Sequence, residues 1–167
     1  CLGLLPELGE AQLDLGRFEA TRATLDDASA AAKALGDRRL AADSRLTRLL
    51  LELRSGELDN WVEQAVPETE QAIEILTEAG DEAALAKAWR LLGYVHGTGC
   101  RYAEAERACE QALIHARRAG DSRESRVNAT SYALAACWGP TPAAVAIERC
   151  NDVLEQVSAS RLSRGWV

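Results

Sequence analysis

The stretch WRLLGYVHGTGCRYAEAERACEQA, residues 89–112, carries one histidine, two cysteines, two tyrosines and a glycine-flanked turn. It can be read as a chemical site or as two helices built to interlock. Trp89, Leu92, Gly93 and His96 recur at helical spacing before the turn, and Tyr102, Ala105, Cys109 and Ala112 recur after it. Gly93 and Ala105 are small where two such helices would cross. A larger side chain at either would overpack the contact by roughly 1–3 kcal/mol. Trp89, Leu92 and Tyr102 supply the bulk around them, so the stretch predicts a packed pair of helices.

The turn chemistry around it recurs along the chain. ALGDRRLAADS begins at Ala34, EAGDEAALAKA at Glu78 and RAGDSRESRVN at Arg118, which separates Asp37, Asp81 and Asp121 by 44 and 40 residues. A period in that range marks stacked supersecondary units. Gly36, Gly80 and Gly120 suit the left-handed conformation that ends one helix, and each following Asp can accept the orphan amides that open the next. Asp121 and Glu124 have the spacing of a capping box. A second breaker divides each unit: LGR at 15–17, RSGELDN at 54–60, HGTGCR at 96–101 and WGPTP at 138–142.

Helices are therefore expected over about 3–15, 17–35, 37–54, 58–79, 81–98, 101–119, 121–137 and 141–158. The fold class is all-α, as units 1–36, 37–80, 81–120 and 121–158, with 159–167 beginning a further helix. Pro142 suits a first helical turn, whereas Pro67 should kink or split the fourth helix. Leu46, Leu49, Leu50 and Leu53 lie at i, i+3, i+4 and i+7, one face that its own helix cannot bury. Such faces must dock on neighbouring helices.

With these positions in place, the stretch resembles a tetratricopeptide repeat. It reads Trp89-x2-Leu92-Gly93-x2-His96, then Tyr102-x2-Ala105-x3-Cys109-x2-Ala112, in the register of that motif. His96 stands for the usual aromatic, Cys109 for Phe, and Arg117 for the Pro that closes the second helix; without that Pro the helix can run on to Gly120. The first unit matches more loosely, through Leu5, Leu8, Gly9, Gly16, Phe18, Thr21, Leu25 and Ala28. The resemblance implies a solenoid of antiparallel helix pairs, wound as a right-handed superhelix of about four pairs plus a truncated fifth. LLPELGEAQLDLGRFEAT and the longer repeats ending in LGD or AGD are similar to the repeat regions of bacterial signal-transducing ATPase regulators. In those regulators the repeats accompany an ATPase module and a LuxR-type DNA-binding or nucleotide cyclase output domain.

Composition narrows the partners. The 167 residues are 47% apolar and 5% aromatic, mostly Ala and Leu with abundant Glu and Arg, as suits close-packed helices. The net charge of -7 repels phosphate backbones and anionic membranes, so no nucleic acid and no membrane partner is expected. No apolar run reaches the roughly 20 residues of a membrane span and no secretion signal is visible, so a cytoplasmic location is expected. The five Cys show no C-x-x-C pair and read mostly as reduced, buried small hydrophobes. With no Met and helical patterning at both ends, the chain is expected to be a piece of a longer protein.

Four chemical readings compete with the structural one. His96 and Cys100, joined by Cys109 or His115, would make a metal site, but no pair has zinc spacing and glycines interrupt the helix. Cys109 as a nucleophile would need exposure and a positive setting, which a helix-crossing position denies it. Gly97-Thr98-Gly99 lacks the Lys-Ser/Thr ending and the preceding strand of a phosphate loop. Glu104, Glu106 and Glu110 beside Arg101 and Arg107 are expected on an outer surface, in i, i+3 or i+4 pairs. Asn128-Ala129-Thr130 fits a glycosylation acceptor only as a pattern. The expectation is a non-enzymatic chain with no metal and no cofactor.

First helices line the concave side of such arrays, where they usually bind. That selects Lys87, Arg90 and Tyr94 in the third unit and Val127, Thr130 and Leu134 in the fourth. In co-chaperone repeats a basic and amide clamp holds a peptide carboxylate; here Arg90 fits one clamp position, but Tyr94 stands where the Asn belongs. The expected role is protein–protein interaction or regulatory sensing, with a protein partner or the attached ATPase and output domains. The alternative is a small-molecule inducer bound in the groove. Trp166 lies in the segment expected to start the fifth unit, where a bared edge would favour self-association.

Overall fold

The computed structural model describes residues 2–56 and 61–164, with side chains up to Glu155 apart from that of Trp61. Among the described residues every regular element is helical. After a short 3-10 turn, Leu2–Leu4, come α1 (Leu5–Asp14), α2 (Phe18–Leu35), α3 (Arg38–Ser55), α4 (Trp61–Ala79), α5 (Glu82–Thr98), α6 (Tyr102–Arg118), α7 (Ser122–Trp138) and α8 (Ala143–Arg164). None of these helices is long and apolar enough to cross a membrane.

The Gly-Asp dipeptides do two jobs at once. At the end of α2 the Asp37 N–H donates to Ala32 O at 2.9 Å and the Gly36 N–H to Lys33 O at 3.4 Å, closing a Schellman motif with Gly36 at φ 64°. The Asp37 carboxylate then accepts the Leu40 N–H at 2.9 Å and opens α3. Asp81 repeats this with bonds to Leu76 O and from Ala84 N–H, and Asp121 with bonds to Ala116 O and from Arg123 and Glu124 N–H. Backbone donor and side-chain acceptor of one residue thus satisfy two helix ends. At Asp121 the expected capping box is only half made, because the Glu124 carboxylate turns instead to Arg90.

The chain divides into two compact units, Cys1–Ala84 and Leu85–Val167. In the first, α1 packs on α2, α2 on α3, α3 on α4, and α1 also touches α3. Leu13, Leu25 and Leu51 meet in its core with Leu50 against them. Gly9 lets α1 approach that core: a Cβ there would lie 3.2 Å from Leu25 and 3.7 Å from Thr47. Arg45 of α3 is held by Glu52 of its own helix and Glu68 of α4, and Arg39 meets Asp81 at 2.8 Å. In the second unit α6 packs on α7 and α7 on α8, with Ala105, Cys109 and Ala135 buried together and Tyr132 against them.

Three expectations are corrected. Pro67 does not split α4, which is assigned as one helix through it. The carbonyl deprived of its donor belongs to Glu63, an exposed residue. The eighth helix does not stop at 158 with a new one from 159; α8 continues to Arg164, while Trp166 lies outside the described residues. Finally, Gly97 does not interrupt α5, which runs through it to Thr98, and neither Gly97 nor Gly99 takes the left-handed region in the turn that follows. Cys100 takes it, at φ 57°, with Cys100 N–H donating to Gly97 O and Arg101 N–H to His96 O. A Cβ in that conformation costs on the order of 1 kcal/mol. Cys100→Gly is therefore expected to raise the melting temperature by about 2 °C in a thermal scan; an unchanged or lower value would refute the strain.

Candidate functional site on α5 and α7

Three of the repeat-signature residues, Gly93 of α5 and Ala105 and Cys109 of α6, form a contact between the two helices. Leu92, Gly93 and His96 of α5 are buried, as are Ala105, Cys109 and Ala112 of α6, with Trp89 and Tyr102 half-buried at the edges. A Cβ on Gly93 would lie 2.8 Å from Cys109 Sγ, closer than ordinary packing permits, and 3.5 Å from Ala105 O, at ordinary contact distance. The glycine, the alanine and the thiol are three parts of one close approach. Burial, with a smaller contribution from the Glu106 charge, pushes the Cys109 thiol up to about 11, so it stays protonated and unsuited to nucleophilic attack near neutrality. Among the described residues no three His, Cys, Asp or Glu side chains converge to hold a metal. Cys100 lies beyond the end of α5, off the helix face that carries His96.

The candidate recognition residues lie at i, i+3 and i+7 on each helix. On α5, Lys87 and Arg90 are half-buried and Tyr94 is 53% exposed; on α7, Val127 is 40% and Leu134 60% exposed, with Thr130 also at the surface. The Thr130 hydroxyl donates to its own helix at Arg126 O, 3.0 Å away. The two helices are tied by Arg90 Nε and Glu124 Oε2 at 3.2 Å, a pair whose side chains retain only 21% and 11% exposure. That separation is ionic contact; the angle is too poor for a hydrogen bond.

Sequence reasoning missed both Glu124 as a tie and Asn128 as a buried residue. Asn128 follows Glu124 by one helical turn and has no exposed surface, and its amide nitrogen and oxygen find no hydrogen-bond partner among the described residues. That burial withdraws it as a glycosylation acceptor. It also places a buried amide one turn beyond the Arg90 contact. Only its spacing of four from Glu124 hinted at this.

A second polar centre holds α8. Glu106, expected on an outer surface, is 13% exposed and accepts hydrogen bonds from Arg149 of α8 and from the Thr141 hydroxyl. Arg149 lies over the Tyr132 ring at 4.1 Å, and the Tyr132 hydroxyl donates to Glu110 at 3.3 Å. Glu104 and Arg107 do form the expected exposed i, i+3 pair, at 3.7 Å. Tyr102 stacks on Trp138 with ring centroids 6.4 Å apart.

No protein-family model and no curated protein matches this sequence.

Two measurements check these contacts. Gly93→Ala should cost roughly 1–3 kcal/mol in chemical denaturation, and adding Cys109→Ala should recover part of it; strictly additive losses would show that the two do not share a contact. Burial alone would raise the Glu106 pKa, but the bonds from Thr141 and Arg149 prevail and hold it below the ordinary carboxylate value. A carboxylate depressed in the folded state stabilises above its ordinary pKa and ceases to as pH falls through the depressed one. The stability gap between wild type and Glu106→Gln should therefore be full at neutral pH and close on acidification; a gap independent of pH would remove the assignment.

Proposed function

We propose that this chain is a non-enzymatic tetratricopeptide-like array of antiparallel helix pairs. In this reading it winds as a right-handed superhelix and acts in the cytoplasm as the protein-interaction or regulatory sensor segment of a larger bacterial ATPase-type regulator. The observation that carries the reading is the fit of Gly93 between Cys109 and Ala105, which gives the signature residues of the stretch 89–112 a packing role. The contact of α1 with α3 and the Arg90–Glu124 tie between α5 and α7 also support it, because first helices of successive pairs adjoin in a stacked array.

The recognition surface is the face carrying Lys87, Arg90, Tyr94, Val127, Thr130 and Leu134. Arg90 is engaged by Glu124, so the exposed part is chiefly the Tyr94 phenol on α5 and the apolar Val127 and Leu134 on α7. Such a surface suits the apolar side of a partner helix better than a free carboxylate or another small anion. The partner is another protein or the attached ATPase and output domains, and binding would act by favouring one assembly state over another. Self-association belongs to the same reading, through Ile147 and Leu154, which share a face of α8 and are 61% and 63% exposed.

Site-specific photocrosslinking tests the surface. A photoreactive residue replacing Tyr94 or Leu134 in the host cell is expected to capture a polypeptide, one at Ile147 a second copy of the chain, and one at Arg107, 74% exposed on α6, neither. Equal capture at Arg107 would overturn the reading. No polypeptide at Tyr94 or Leu134, with a thermal shift on adding a metabolite, would transfer it to a small inducer.

A further inference from the structure

Two cysteines outside the recognition face meet across helices. Cys137, exposed near the end of α7, and Cys150, half-buried in α8, bring their sulfurs to 3.7 Å although 13 residues separate them in sequence. Both line a surface cavity of about 320 Å³ with Thr141, Ala146 and Ile147. Sulfurs at this separation are in van der Waals contact, and a bond requires them to close by about 1.7 Å, within reach of side-chain rotation and a small shift of α8. The Cys150 thiol is pushed up in pKa chiefly by its hydrogen bond with Cys137. The other described thiols are differently placed: Cys109 is buried, and Cys100 is exposed on the turn after α5 with the Tyr102 hydroxyl 4.0 Å away.

We propose that Cys137 and Cys150 are a dithiol modification site, closed to a disulfide between α7 and α8 by a hydroperoxide entering the cavity. The Cys137 sulfur attacks the peroxide: an S–O bond forms, the O–O bond breaks, and the thiol proton leaves with the departing oxygen as water or alcohol. The Cys150 sulfur then attacks Cys137: the S–S bond forms, the S–O bond breaks, and the hydroxyl leaves as water with the Cys150 proton. Two thiols are oxidised and one peroxide is reduced. A thiol reductant reverses the change.

The test is to treat the full chain with hydrogen peroxide, alkylate it, and digest it with trypsin without reduction. The expected product is peptide 127–149 joined to peptide 150–161, about 2 Da below their sum and separated by dithiothreitol. The oxidised chain should melt about 5 °C higher, since the bond closes a loop around the α7–α8 turn. In Cys150→Ser, Cys137 should stop at the sulfenic acid and be labelled by dimedone, with a circular dichroism spectrum like that of wild type. Disulfide-linked dimers through Cys100, or overoxidation of Cys137 in the wild-type chain without the joined peptide, would overturn the proposal.

Discussion

Among the described glycines the tightest approach is at Gly93, where α5 meets α6. The Cys109 sulfur occupies the space a Cβ would need, 2.8 Å from its ideal position. Backbone therefore meets side chain with nothing between, and the residues around the crossing are fixed in size. Ala105 lies in that approach, and Ala112 and Leu92 are buried on the same two helices. Gly9 plays the corresponding part between α1 and Leu25 in the first unit. A chain with so few aromatic residues has little bulk to fill gaps, so its helices must come close and its core is largely Ala and Leu.

Close packing needs helices of controlled length, and the Gly-Asp junctions supply it. At Asp37, Asp81 and Asp121 the backbone N–H finishes one helix and the carboxylate begins the next, leaving no linker in between. Two other turns need no such acid: Arg17 and Arg101 follow their left-handed residues, Gly16 and Cys100, and open α2 and α6 with no side-chain cap. The Gly-Asp turns are thus the more strongly specified of the two kinds.

The helices were legible because their signals are local. Period, glycine, capping Asp and small residues at a crossing all act within a few positions, and α2, α3 and α5 to α7 begin and end within a residue or two of expectation. Polar partners were not legible, because they lie far apart in sequence. Glu106 reads as one of three surface acids in a helical run, yet its partner Arg149 is 43 residues away. Arg90 reads as an open basic group, and only the fold brings Glu124 to it. Cys100 escaped for a different reason: two glycines flank the turn and each fits the left-handed site better than the residue that occupies it.

The same long-range contacts set the positions of the paired thiols. Glu106 and Tyr132 fix Arg149, the residue before Cys150, while stacking on Tyr102 fixes Trp138, the residue after Cys137. Both sulfurs are therefore located by neighbours anchored on α6 and α7, and their approach does not depend on any attraction between them. Because Arg149 bonds to a carboxylate and lies against a ring face, it is held in two directions, which limits how far the start of α8 can slide along α7. The ionic anchor answers to pH and the thiol pair to oxidant, so one helix is attached by two contacts of different chemistry. Loss of the first would loosen α8 without exposing the Gly93 crossing, since Glu106 and Cys109 lie on neighbouring turns of α6 and only Cys109 faces Gly93.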